Sequence, residues 1–388
     1  MDAIDVAIIG GGVNGLAVAY MLGQHYPSKS IFVFEKNKYL GEEQSSRNSG
    51  VLHSGYGYTP RSLKAEFCPR GNKMAKALCA AEGIPCAAAP KYVVAKNAGE
   101  KATLSFYYQR ARENGVQAEL IDRVELQRRE PNVSGIAALC TPETAVIDAA
   151  SYIKTLERRA RRQGAQILTH TKVTALIPER NSFLITAEQQ QESYTFESHI
   201  VINCAGLYAD ELARMVNSDF LYHIIPFRGE YMKFNATRPE LKISGSNINA
   251  VPFPMPGLYD QYGSPRTQVG VHITPTFEQA ADDSVIIGSN YLVGPLGSRV
   301  LRKDDYESNR MPASEFIAQT QHLMKGITVE DLKQDYAGIQ VKIDGWDDFV
   351  LQEDRKHPYL IHGIADSPGL SCALPFAESV VKKVIRAA

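Results

Sequence analysis

Gly10, Gly12 and Gly15 stand in G-x-G-x-x-G spacing between an apolar run, DVAIIG, and a stretch of helical periodicity, VNGLAVAYMLGQH. Glu35 ends the next apolar run, IFVFE, twenty residues after the last of these glycines. Strand, glycine turn, helix, strand and acid in that order describe a dinucleotide site. The first glycine permits a tight turn, the second lets a pyrophosphate approach the backbone, and the third lets helix and strand pack closely. Glu35 is placed to accept hydrogen bonds from a ribose, and these residues alone leave NAD and FAD both open. A second stretch, QSSRNSGVLHSGYGY at 44–58, follows with small and polar residues, one arginine, one histidine and no acid. After the acidic residue an NAD enzyme usually goes straight on to another strand, whereas this chain stays glycine-rich and polar. The six cysteines show no C-x-x-C spacing and no paired His run, so neither a metal site nor a disulfide framework is expected, and a reducing compartment is the simpler reading.

Positioning such groups takes more than one core. At 388 residues the chain exceeds what a single hydrophobic core usually serves, so two domains are expected. Lys and Arg total 42 against 43 Asp and Glu, and this balance offers no global field for nucleic acid or an anionic membrane. The apolar start is broken by glycines and preceded by acids, unlike a targeting segment, and no run reaches the ~18 apolar residues of a membrane span. Helices are expected from Ser62 to about Gly83, over ATLSFYYQRARENG and over SYIKTLERRARRQG. Strands are expected at KYVVAKN, QILTHTKVTALI, SHIVINCAG, GEYMKF, TQVGVHITPT and SVIIGS, and the tail reads as strand, Ser-Pro-Gly turn and terminal helix. The fold class is α/β (α+β): a Rossmann-like domain made of 1–90, 142–216 and 326–388, and an antiparallel-sheet domain made of 91–141 and 217–325. RRARR at 158–162 reads as cations at a helix end, and the terminal helix as core packing with a solvated face.

With SRNSGVLHSGYGYTPRSLKAEFC placed after the glycine fingerprint, the chain resembles the D-amino-acid-oxidase superfamily of FAD enzymes, and within it the L-2-hydroxyglutarate dehydrogenases and their relatives. VINCAGLYAD at 201–210, IIPFRGEYM at 224–232, GVHITPT at 270–276 and ADSPGLSCALPFAESV at 365–380 resemble further segments of that family, in its order. The resemblance implies FAD, with no metal. It places Val13, Asn14, Lys36, Ser45, Ser46, Arg47, Asn48, Ser49 and Gly50 along the cofactor with the residues above, His53 near the isoalloxazine, and Val173, Ala205, Gly206 and Gly338 at its margins. Pro368, Gly369, Leu370 and Ser371 would open a helix toward the flavin pyrimidine ring, where backbone N–H groups suit the charge gained on reduction.

The reaction implied is oxidation of a small 2-hydroxy acid, L-2-hydroxyglutarate foremost, to the 2-keto acid. It needs a carboxylate anchor, a base and an α C–H aimed at the flavin. His53 and His272 are the candidate bases, with His53 preferred because its loop should approach the flavin. Arg228 either binds the carboxylate, pairs with Glu230 or supports the domain junction. In DYAGIQVKID, relatives carry Tyr-x-Gly-x-Arg; here Tyr336 and Gly338 are followed by Gln340, and Lys342, two positions on and so on the same strand face, is the candidate to restore the charge. An amino-acid, glycine or sarcosine type of oxidase and a non-catalytic flavoprotein are the alternatives. The expected partners are a small carboxylate substrate and an electron acceptor such as quinone or oxygen, with no nucleic acid. A cytoplasmic location follows, with peripheral contact at the inner membrane face left open.

Overall fold

A computed structural model describes residues 3–268, 270–280, 282 and 284–387. The chain divides into two compact units, Met1–Arg47, Ala149–Pro226 and Gln340–Ala388 forming the first, Asn48–Asp148 and Phe227–Ile339 the second.

The first unit is built on a parallel sheet. Ala3–Ile9 is its axis, pairing in parallel with Ile31–Phe34 on one side and Glu192–Asn203 on the other; Gln166–Leu168 and Leu360–Ile364 extend the parallel order outward. Thr171–Pro178 and Phe183–Gln189 add antiparallel strands, and Val350–Glu353 pairs antiparallel with Leu360–Ile364. Strands buried on both faces explain why Ala7, Ile8, Val33, Val201 and Ile202 leave no polar alternation to read. The helix Val13–His25 packs against Ala149–Arg162 and Gly369–Ala387. QILTHTKVTALI, expected as one strand, is two, because His170 takes φ +53° between Gln166–Leu168 and Thr171–Pro178.

The second unit carries an eight-stranded mixed sheet, in the order Leu332–Ile343, Ile224–Asn235, Val285–Arg299, His272–Gln279, Asn247–Ala250, Lys91–Ala95, Ala137–Thr141 and Glu119–Asp122. From Ile224–Asn235 to Glu119–Asp122 its pairs are antiparallel except Asn247–Ala250 with Lys91–Ala95. TQVGVHITPT, expected as one strand, supplies Pro265–Gln268 to a separate hairpin and His272–Gln279 to the main sheet, with Val269 outside the described residues, as is Ala388 of the tail helix. One sheet face is apolar: Tyr92, Val94, Ile248, Ile273 and Val293 pack with Phe316 of the Ala313–Thr320 helix. On the opposite face the Ala98–Glu113 helix covers Val93 and Ala95 through Leu104 and Tyr107. The same face carries, by strand alternation, Lys91, Asn249, His272 and Thr274.

The boundaries differ from those expected. Residues 48–90, 142–148 and 326–339 pack in the second unit, not with the glycine fingerprint. Val51–Leu52 and Cys86–Ala88 both pair with Ala145–Ile147, a three-stranded sheet tying 48–90 and 142–148 together, and Leu332–Ile343 edges the large sheet. The helix Leu63–Glu82 is bounded as its sequence predicts, by Ser62, whose Oγ accepts from Ala65 N, and by Gly83 at φ +66°. None of the six cysteines is in a disulfide. Among the described residues no helix is long and apolar enough to cross a membrane, and no group of His, Cys, Asp and Glu is arranged to hold a metal.

Candidate functional site

In the first unit the glycine turn opens on a cleft of about 420 Å³. Gly10 sits at φ +113°, and a Cβ there would lie 2.2 Å from the Cys204 carbonyl oxygen; one on Gly15 would lie 2.0 Å from the Gly10 carbonyl oxygen. Both glycines are therefore required by the protein's own packing. Gly12 is different: its φ of −77° suits any residue, and the nearest atom to a Cβ is Ser45 Oγ at 3.0 Å. Its emptiness faces the cleft. Ser45 Oγ accepts from Val13 N–H at 3.0 Å, capping the first turn of Val13–His25, and Asn14 Oδ1 is buried with no protein donor. Glu35 is buried, its Oε2 accepting from Gly11 N–H and its Oε1 from Asn37 N–H, both at 2.8 Å. Burial raises its pKa, against the pull of those two donors. A carboxylate holding two N–H groups still has lone pairs for hydroxyl donors.

Val173, Ala205 and Gly206 line the same cleft. Lys36 also lines it, but its ammonium is paired with Glu43 and lies 4.5 Å from the centre of the Tyr208 ring. The N–H groups of Ser46 and Arg47 donate to the Glu43 carbonyl, and Arg47 Nε to that of Glu42, so both residues shape the loop. Gln44 holds that loop from the other side, accepting from Val341 N–H at 2.8 Å and donating to the Ala365 carbonyl at 3.2 Å. Pro368 accepts from Cys372 N–H at the start of Gly369–Ala387, and Gly369 N–H donates to the Asp366 carbonyl at 2.6 Å. Of the three expected donors at that helix start, Gly369 is thus engaged within its own turn, and Leu370 and Ser371 follow it. Gln340 and Lys342 share a face of their strand, as expected, but the Lys342 ammonium is 3.3 Å from Asp366 Oδ2.

In the second unit Asn48 and Gly50 have structural tasks. Asn48 Oδ1 accepts from Gly50 N–H at 2.9 Å, its carbonyl accepts from Tyr336 Oη at 2.6 Å, and a Cβ on Gly50 would meet the Ile147 carbonyl oxygen at 2.7 Å. Ser49 is hydrogen-bonded to Tyr231, whose ring lies 4.9 Å from that of Tyr336; Gly338 is buried two residues on. Arg228 is engaged with carboxylates of its own unit. It is buried, pairing with Glu230 at 2.9 Å and Asp305 at 3.5 Å, while Arg310 takes the other Glu230 oxygen at 2.8 Å.

His53 and His272 are brought together on the polar side of the sheet, close enough that each senses Lys91 and His53 senses His272. Lys91, only 2% exposed, places Nζ 3.2 Å from His53 Nδ1. Burial, then the Lys91 charge, hold His53 well below the ordinary imidazole range, and the same two causes push His272 down to about 3. Burial lowers Lys91 itself to about 8. His272 Nδ1 lies 3.2 Å from the Gly270 carbonyl, to which it must donate, so Nε2 is a bare lone pair, and it has no protein partner. Both amide atoms of Asn249 and the Thr274 hydroxyl are likewise buried and unpartnered. Orphaned polar atoms cost about 1–3 kcal/mol each, and several on one face mark a surface built to receive a polar ligand. Asn72 fixes the loop bearing His53, its Nδ2 donating to the carbonyls of Leu52 and His53.

Gly11, Gln44, Asn72, Lys91, Asn249 and Thr274 were not legible as site residues. Lys91 opens an apolar run, where a lysine reads as the solvated end of a strand, and Asn72 lies within a helix whose pattern is carried by other positions.

Residues 5–382 match the profile of the family described as FAD dependent oxidoreductase. The chain is 29% identical to L-2-hydroxyglutarate dehydrogenase of Salmonella houtenae, over 98% of this chain and 93% of that protein. It is 30% identical to the mitochondrial L-2-hydroxyglutarate dehydrogenase of Nematostella vectensis, over 89% and 82%. Among solved structures, L-α-glycerophosphate oxidase from Mycoplasma pneumoniae with FAD bound superposes with a TM-score of 0.85 at 25% identity, covering 99% of this chain and 95% of that one. Glycine oxidase from Geobacillus kaustophilus superposes with a TM-score of 0.79 at 18% identity, covering 100% and 95%, a likeness of fold. The glycine cradle, the orphaned Asn14 oxygen and the buried Glu35 carboxylate fit FAD.

Proposed function

The chain belongs to the FAD-dependent oxidoreductase family, and from that premise we propose that it oxidises a small 2-hydroxy acid, L-2-hydroxyglutarate foremost, to the 2-keto acid. The observation that carries this reading is the polar cluster of His53, His272 and Lys91 in a chain that aligns nearly end to end with enzymes named for that acid. FAD, when bound, supplies the acceptor for the α-hydrogen as hydride.

The chain's own residues divide the remaining tasks. The glycine turn and the capped start of Val13–His25 would hold the pyrophosphate, and Glu35 would accept from the ribose. The start of Gly369–Ala387 would offer Leu370 and Ser371 to the flavin. His53 takes the hydroxyl proton. His272, whose Nδ1 donates to the Gly270 carbonyl, serves as a hydrogen-bond acceptor that orients the substrate through Nε2. Arg228 and Lys342 are both paired with carboxylates of the protein. Electrons leave to a quinone or to oxygen, and contact with a membrane face would serve the first.

The purified protein should be yellow. Anaerobic mixing with L-2-hydroxyglutarate should bleach the flavin bands, whereas glycine, sarcosine and D-amino acids should leave them. Bleaching by an amine alone would overturn this reading in favour of an amine oxidase.

A further inference from the structure

Lys91 is a buried cation whose strand neighbours are Asn247 and Thr141 and whose ammonium lies on an imidazole nitrogen. The titratable groups bearing on it and on His53 come from every element packed there. They are His272 from another strand of the same sheet, Cys68 from the Leu63–Glu82 helix, and Tyr56, whose ring centre is 6.0 Å from Nζ, with Tyr107 of the Ala98–Glu113 helix behind it. An ammonium has three donors and no acceptor, so a nitrogen 3.2 Å from it must accept.

We propose that Lys91 and His53 work as one proton-holding pair: the Lys91 ammonium donates to His53 Nδ1, fixing the ring as its Nε2–H tautomer, and loss of one proton from the pair turns Nε2 into the base. In the protonated pair His53 can only donate from Nε2. In the deprotonated pair the Lys91 amine accepts from Nδ1–H, and the Nε2 lone pair is available. The depressed values of both groups agree with this order, since the Lys91 charge is the second cause holding His53 down and disappears with the proton. In turnover the alcohol gives its hydroxyl proton to Nε2 and its α-hydrogen, with the bonding pair, to the cofactor. The O–H and C–H bonds break, the carbonyl π bond forms, and the pair carries the proton away. Lys91 is thus a positioning residue that acts through His53.

The kinetic arm of the test rests on the 2-hydroxy acid reading; the spectroscopic arm does not. In ¹⁵N-histidine-labelled holoenzyme, with His53 assigned by its loss in His53→Gln, Nδ1 should be unprotonated and Nε2 protonated below pH 7. The protonated site should move toward Nδ1 as pH passes about 8. With L-2-hydroxyglutarate, kcat/KM should rise through the same pH. Lys91→Met should move that rise below the ordinary imidazole value of about 6.5, and Lys91→Arg, a cation that does not titrate, should lose about 10²-fold or more at every pH. Flavin content and melting temperature identify a variant that fails to fold, and Lys91→Met, which keeps length without charge, then carries the comparison. A protonated Nδ1 below pH 7, or an alkaline rise unmoved in Lys91→Met, would overturn the proposal. If the acid is not oxidised but the tautomer is found, the substrate reading fails and the pair stands.

Discussion

Two buried side chains of the second unit show how charge is handled residue by residue. Glu230 is fully buried between Arg228 and Arg310 and also accepts from Met311 N–H at 2.9 Å. Removing its charge leaves two guanidinium groups uncompensated, and Glu230→Gln should cost about 3–5 kcal/mol, read as a lower denaturant midpoint. A midpoint within error of the parent would return Arg228 to the pool of substrate anchors. His272 bears on acid stability. Its folded value of about 3 lies below its unfolded value of 6.5, so between the two the unfolded chain binds more protons. The contribution is fully present above pH 6.5 and is lost as pH falls through 3, on the order of 5 kcal/mol across the window. His272→Asn should therefore flatten the fall in unfolding free energy between pH 7 and pH 4. An equally steep fall in the variant would mean that other groups carry the acid limb.

Among the elements, the turn before Val13–His25 separates packing from ligand space. Gly10→Ala meets the Cys204 carbonyl and a left-handed φ, so both stability and FAD retention should fall. Gly12→Ala meets only Ser45 Oγ and has an ordinary φ. It should hold apoprotein stability within about 0.5 kcal/mol while weakening FAD binding by tenfold or more, measured by flavin fluorescence on titration. Equal loss of stability in both would mean that the empty space at Gly12 belongs to protein packing. Ser45→Ala removes the cap on Val13 N–H and should cost about 1 kcal/mol, with weaker FAD binding. The helices were legible because their ends carry chemistry, Gly12 before Val13 and Ser62 and Gly83 around Leu63–Glu82. The strands were less so, since a single positive φ at His170 or a departure to another sheet at Gln268 divides what periodicity joins.

For the molecule as a whole, FAD is a ligand of the folded chain and should stabilise it by mass action. At about a hundred times its Kd the gain is about 2.7 kcal/mol, read as a raised melting temperature of holoprotein over apoprotein. A melting temperature independent of added FAD would contradict the fit of cradle and cofactor. The discontinuous division into two units was legible from the change in composition after Asn217 and from the resumed alternation of helix and strand. Its boundaries were not, because Val51–Leu52 and Cys86–Ala88 find their common partner in Ala145–Ile147, about sixty residues or more further along the chain.

Local spacing alone determined the dinucleotide turn: G-x-G-x-x-G and Glu35 act within one strand–helix–strand unit, so their geometry follows from sequence distance. The resemblance of their segments to the family marked His53 and His272 as candidates. The tertiary structure decided which charges are spent and which are held in reserve. Arg228 meets Glu230 and Lys342 meets Asp366, whereas Lys91 is carried into the interior by its strand and set against an imidazole thirty-eight residues earlier. Burial and the sign of the nearest neighbour set the proton affinity of such a group, and both arise only when distant strands are laid side by side.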